Sequence, residues 1–205
     1  MAIMFVRAQV IGRGAGRSIV SAAAYRHRTR MIDEQAGTSF SYRGGASELV
    51  HEELALPDDI PAWLKAAIDG RSAAKASEAL WNAVEAHETR ADAQLARELI
   101  IALPEELTRA ENIALVREFV RDNLTSKGMV ADWVYHDKDG NPHIHLMTAL
   151  RPLTEEGFGP KKVPVLSEDG EPLRVVTPDR PNGKIVYKLW AGDKETIKAW
   201  KIAWA

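Results

Sequence analysis

Two hydrophobic rhythms organise the chain. Residues 3–11 (IMFVRAQVI) are apolar and partly β-branched in one short run, which predicts a buried strand. A glycine-rich turn, GRGAG, follows. Ser18 then stands as an N-cap and predicts a helix reaching about Met31. Residues 48–56 read as a second strand, closed by Pro57. Pro61 opens a short helix that stops near Gly70, and residues 72–92 form a long one with Leu80 and Val84 on one side. Residues 97–103 read as a strand ended by Pro104. Thr108 and Glu111 have capping-box spacing, which starts a helix to about Lys127 with Gly128 as its stop. Residues 129–136 and 143–150 are two further strands. The stretch 151–184 is rich in Pro and Gly and reads as a long loop with a hairpin around Glu168–Gly170; residues 192–205 begin another helix. The order β-α-β-α-α-β-α-β-β-α, with hairpins that demand antiparallel pairing, predicts an α+β fold with a central antiparallel sheet and flanking helices.

Composition narrows this little. The chain has 205 residues, 45% hydrophobic and 27% charged, enough for one self-sufficient core, so 1–205 is read as a single domain. The last helix ends without a cap, which leads to the expectation that the natural protein continues. There is no cysteine, which rules out disulfides and thiolate metal sites. The N-terminus is too soon interrupted by Arg7 and Arg13 for a signal peptide, and no run nears the roughly 18 apolar residues of a membrane span. A cytoplasmic location without a membrane segment is therefore expected. Net charge is −2, but the first 50 residues carry seven arginines against three acids, so one positive face is compatible with a near-neutral whole.

The stretch HDKDGNPHIH, 136–145, holds three of the six histidines. With Asp139–Gly140 as a two-residue turn, His136 lies opposite His143. Cross-strand partners share a face, and His145, two residues along from His143, shares it too. A turn at Gly140–Asn141 would put His136 opposite His145 and leave the face unchanged. Three converging imidazoles suit Zn, Mn, Fe, Ni or Cu and leave positions open for substrate. Pro142 cannot donate to a ladder, which points to an edge or bulge. Asp132 shares parity with His136; it reads as a surface residue, with orientation of a ligand imidazole as the alternative.

A three-histidine site alone fits many hydrolases. In GRSIVSAAAYRHRTR, 16–30, Tyr25 sits on a helix behind small residues and among Arg26, Arg28 and Arg30, and arginines suit phosphate. Together with His143-Ile144-His145 and the upstream His136, this segment resembles the MobA/MobL family of plasmid relaxases within the HUH endonucleases. The blocks ARELIIALPEEL (96–107) and WNAVEAHETRADAQ (81–94) resemble the same family. The likeness runs over essentially the whole chain and extends to TraA-type conjugal transfer proteins, in which a helicase-like region follows this domain.

The resemblance implies the HUH relaxase fold and DNA nicking at a plasmid transfer origin, with Tyr25 as the nucleophile that becomes linked to a 5′-phosphate. It implies a divalent metal ion on His136, His143 and His145, with Mg or Mn expected and Zn or Ni compatible. Glu98, in the family's middle block, is the candidate proton acceptor, with a strand-end salt bridge as its rival role. The expected partners are single-stranded DNA and its flanking hairpin at the transfer origin, together with accessory conjugation proteins, the domain itself being a monomer. Arg7, Arg13, Arg17, Arg26 and Arg28 are expected to line a DNA groove, with Trp133 or Tyr42 as a stacking platform. Arg151, Lys161 and Lys162 are expected to meet the DNA hairpin. Two rivals keep part of this picture: a replication initiator or transposase of the HUH class, and a non-catalytic DNA-binding module with a structural metal.

Overall fold

The computed structural model describes residues 5–14, 16–138 and 140–205. Residues 3 and 4 of the expected first strand, Ala15 and the turn residue Asp139 lie outside the described residues. In chain order the major elements are β1 (Val6–Gly12), α1 (Ile19–Arg26), β2 (Arg30–Asp33), β3 (Thr38–Ser41), β4 (Leu49–Ala55), α2 (Ala62–Ile68) and α3 (Ala73–His87). There follow β5 (Gln94–Ala102), α4 (Arg109–Asn123), β6 (Ala131–Lys138) and β7 (Asn141–Ala149). The C-terminal part holds β8 (Leu153–Thr154), β9 (Gly157–Phe158), β10 (Lys162–Pro164), β11 (Arg174–Thr177), β12 (Arg180–Ile185), β13 (Tyr187–Leu189) and α5 (Lys194–Ala203).

Five strands form one antiparallel sheet in the order β1-β5-β7-β6-β4. Alternation of side chains sorts its two faces. One face sends Leu99, Ile101, Trp133, Tyr135, Ile144 and Leu146 against Val116, Phe119 and Val120 of α4 and Trp200 of α5. The other receives Ile19, Val20, Ala23 and Ala24 of α1, Leu64 of α2, and Leu80, Trp81 and Val84 of α3. Alanines at 23 and 24 are fully buried, which lets α1 lie close on the sheet. This second face carries the site. Its rows run Gln9–Glu98–Met147–Asp132, then Arg7–Ile100–His145–Val134, then Ala102–His143–His136.

The caps were legible. Ser18 accepts from the Ser21 amide, Ser72 from Lys75, and Thr108 with Glu111 forms the complete capping box. Gly128 takes the left-handed φ of 78° that stops a helix. Other expectations are corrected. α1 ends at Arg26 rather than near Met31, and a hairpin, β2–β3, occupies 30–41. α3 stops at His87, five residues early, and β5 begins at Gln94. The stretch 151–184 is not mainly loop. Its turn at Gly170 is present, but β8–β9, β10–β13 and β11–β12 form small antiparallel ladders around it. Pro142 lies on β7, the middle strand, not on an edge. It is the second residue after the turn, and its carbonyl still accepts from the Leu103 amide at 2.9 Å. Among the described residues no helix is long and apolar enough to cross a membrane.

Candidate metal centre and tyrosine groove

The hairpin β6–β7 pairs His136 with His143, the first of the two registers open from sequence. His145 lies one row deeper, and the three ring centroids stand 5.2–5.7 Å apart. One nitrogen from each ring lies within 4.8 Å of the others. The opposite nitrogens are all committed. His136 Nε2–H donates to the Arg26 carbonyl at 2.6 Å, His143 Nδ1–H to the Asn141 carbonyl at 2.8 Å, and His145 Nδ1–H to Glu98 Oε1 at 2.8 Å. This arrangement fixes the tautomers and turns a lone pair of each ring toward the common point. His136 Nδ1 is buried without a hydrogen-bond partner, as a nitrogen waiting for a cation would be. Burial, helped by neighbouring His145 and Arg28, pushes His136 down to about 4 despite the Arg26 carbonyl. Burial also lowers His145. Both rings are therefore neutral near pH 7, the form that binds metal.

Glu98 organises the next layer. Its side chain is fully buried. Oε1 accepts from Arg26 Nε and His145 Nδ1 at 2.8 Å each, and Oε2 from Gln9 Nε2 at 2.5 Å. Burial would raise its pKa, but the His145 hydrogen bond and the Arg26 charge outweigh it and hold the carboxyl at about 2. Both oxygens accept hydrogen bonds from these donors. This arrangement fits a carboxylate that orients a ligand imidazole.

Tyr25 stands at the end of α1, 43% exposed. The Arg26 carbonyl, one residue on, is the acceptor for His136, so the peptide beside the tyrosine is tied directly to the histidine cluster. Tyr42 meets the Tyr25 ring edge-on at 5.5 Å and hydrogen-bonds Ser21 Oγ at 3.0 Å. A groove of about 350 Å³ opens here, lined by Gln9, Arg17, Ser21, Tyr25, Arg26 and Tyr42 among others, with no acidic side chain in its wall among the described residues.

A second network was missed from sequence. His27, buried behind Tyr25, donates from Nδ1 to Glu52 at 2.7 Å and from Nε2 to Asp132 at 2.9 Å. Asp132 also accepts from Ser77 Oγ and Trp81 Nε1, each at 2.6 Å. Asp132 is thus buried, neither a surface residue nor a partner of the ligand histidines. Burial would lower His27, but Asp132 and Glu52 outweigh it and raise it to about 9. The only sequence hint was a histidine directly after YR.

The cations divide into two groups. Arg13 pairs with Glu85, Arg26 with Glu98, Arg28 with Glu48, and both Arg151 and Lys161 with Glu88. Their partners are buried or largely so, and each of these five side chains is held in an ion pair. Among the described residues no ion pair holds Arg7, Arg17 or Lys162. Arg7 is exposed on the site face, Arg17 is in the groove wall, and Lys162 lies in the C-terminal ladders, apart from the groove. Trp133 is fully buried on the opposite face and is no stacking platform, whereas Tyr42 is exposed in the groove.

The chain is 52% identical over 204 residues to "Conjugal transfer protein TraA" of Rhizobium radiobacter, covering all of this chain and 18% of that protein. It is 28% identical over 209 residues to "Probable mobilization protein MobA" of Bifidobacterium longum, covering 98% of this chain and 34% of that one. The chain thus spans about a fifth of the length of its TraA relatives. A solved structure described as "Molecular Basis of Vancomycin Resistance Transfer in Staphylococcus aureus" superposes with a TM-score of 0.75 at 26% identity, over 99% of this chain and 89% of that one. Residues 17–205 match the MobA/MobL family along their whole length, and the chain belongs to that family.

Proposed function

We propose that this domain nicks one strand of DNA at a plasmid transfer origin, with Tyr25 as nucleophile. The observation that carries the reading is that the triad of His136, His143 and His145 is hydrogen-bonded to the Arg26 carbonyl, one residue on from the exposed Tyr25. A divalent cation held by the three histidines would supply positive charge against a phosphate oxygen. The all-nitrogen donor set is a poor match for Mg, which prefers oxygen ligands.

The residues of the chain do the rest. The groove beside Tyr25 takes unpaired DNA, with Arg17 and Arg7 toward the phosphates and Tyr42 offering a ring for a base. Lys162 and the basic, exposed β11–β12 hairpin meet the DNA hairpin that flanks the nick. Tyr25 Oη forms a bond to phosphorus while the bond from phosphorus to the 3′ oxygen breaks. That oxygen keeps the electron pair and takes up a proton, leaving a free 3′-OH and a 5′-phosphotyrosine. The phenolic proton leaves through the open groove, since Glu98 is fully engaged. Glu98 acts as a positioning residue that keeps His145 Nε2 toward the cation. The reaction belongs in the cytoplasm, where plasmid DNA lies.

The test is a labelled single-stranded oligonucleotide spanning a candidate transfer origin, incubated with Mn²⁺ and resolved on a denaturing gel. A covalent protein–DNA band is expected from wild type and from Tyr42→Phe, and none from Tyr25→Phe. Loss of the band only in Tyr42→Phe would reverse the assignment.

A further inference from the structure

α1 ends in a way that sequence rules do not favour. The Thr29 amide bonds the Ala24 carbonyl at 3.1 Å and the Arg28 amide bonds the Tyr25 carbonyl at 3.3 Å, the pair of bonds that makes a Schellman turn. The residue after the C-cap in such a turn is left-handed and is usually glycine. Here it is Arg28, with φ of 48°, the one non-glycine with positive φ among the described residues. Strain of this kind persists where the surroundings over-determine it, and it gathers at functional sites.

The surroundings of Arg28 are built. Its guanidinium carbon lies 4.2 Å from the centroid of the Tyr25 ring. Nη2 donates to Glu48 at 2.7 Å and Nη1 to the Tyr25 carbonyl at 3.3 Å. The side chain is only 11% exposed, and Nε is buried with no partner. Gly45 forms a shelf behind it: a Cβ there would stand 2.8 Å from Nε and 2.9 Å from Cδ of Arg28. Gly45 itself has φ of −101°, so its backbone does not call for glycine, and the space for Arg28 does. With Tyr42 against the edge of the same ring, Tyr25 is held on two sides.

We propose that Arg28 is a positioning residue for Tyr25: the left-handed turn, the Glu48 strut and the Gly45 shelf together press its guanidinium onto the phenol and fix where the hydroxyl points. This rests on Tyr25 being the nucleophile, and it departs from the expectation that Arg28 binds DNA phosphate. The flat, delocalised guanidinium suits stacking on a ring, which a lysine ammonium does not reproduce.

Three variants test it. Arg28→Gly relieves the backbone and is expected to fold. Arg28→Lys keeps the charge. Gly45→Ala displaces the guanidinium through its Cβ without altering any ionisable group. Each is expected to slow single-turnover formation of the Tyr25–DNA adduct about 10- to 100-fold, the scale at which small misplacement of a reacting group acts. Oligonucleotide Kd and its salt dependence should stay within about twofold of wild type. A phosphate contact would do the opposite: Arg28→Gly would weaken binding and flatten the salt slope while Gly45→Ala reacted at the wild-type rate, and that result overturns the proposal. A readout free of activity separates this from failure of the nicking reading. In DNA-free protein with labelled tyrosine, the Tyr25 ring signals, assigned by their loss in Tyr25→Phe, should show cross-ring contacts to Tyr42 and to the Arg28 side chain. Those contacts should disappear in Gly45→Ala. Ring signals indifferent to all three variants would sink the proposal, even if the wild type formed its adduct normally.

Discussion

His27→Gln probes the ion-pair network that anchors the end of α1. In the folded protein both ring nitrogens of His27 donate to carboxylates, one of them the buried Asp132. The folded value of about 9 lies well above the ordinary 6.5. At about 1.4 kcal/mol per pH unit, the gap corresponds to about 3.5 kcal/mol in full and to about 3 kcal/mol at pH 6. The independent expectation for breaking a buried pair, about 3–5 kcal/mol, agrees. Because the folded state binds this proton more tightly than the unfolded chain, the contribution is fully present below about pH 6.5. It is lost as pH rises through about 9. Gln can supply one donor group but no charge, so Asp132 remains buried with Ser77 and Trp81 as its neutral partners. Urea denaturation at pH 6 should therefore show the variant about 3 kcal/mol less stable, with Tm lower by about 6–12 °C for a domain of this size. Toward pH 9.5 the two curves should converge, wild type descending to meet the variant. Equal stability at pH 6, or a difference that stays constant across the window, would refute the charged network.

Three other outcomes follow from the site. Glu98→Gln removes the carboxylate that orients His145 and should weaken Mn²⁺ binding about 10- to 100-fold by isothermal titration; an unchanged Kd would show that Glu98 does not support the centre. Excess chelator should leave the melting curve nearly unmoved while abolishing adduct formation, because neither hydrophobic cluster is built on the three histidines; unfolding on chelation would favour the structural-metal rival. Arg13→Ala should lower stability by breaking the Glu85 pair with little effect on oligonucleotide affinity, whereas Arg17→Ala should weaken affinity and reduce the salt slope by about 1. Exchanged effects would reverse the division between structural and DNA-facing arginines.

The elements most readily read from sequence were those whose signals are local. Ser18, Ser72 and Thr108 cap helices because their own side chains reach amides three residues on. The three histidines share a face because a strand has a period of two, whatever the register. The β2–β3 hairpin escaped because its strands are four residues long and partly exposed, with no turn pair of the favoured kind between them. The C-terminal ladders escaped for the same reason, hidden among Pro and Gly. The early end of α1 escaped because its stop residue is an arginine where glycine is the recognisable signal.

Sequence alone therefore determined the chemistry on offer: a tyrosine on the first helix, three imidazoles on one side of one hairpin, an antiparallel α+β frame, and the family likeness that joins them. Tertiary structure decided which groups are free to act. Arg13, Arg26, Arg28, Arg151 and Lys161 looked like a DNA surface because charge is visible in a sequence and its partner is not. Each is paired in the fold with a carboxylate 20 to 73 positions away. Asp132 and Trp133 looked exposed or stackable because burial is set by which helix covers which face of the sheet. Sequence period assigns a side chain to a face; only the packing of α1 and α3 on one face and α4 on the other says what that face meets.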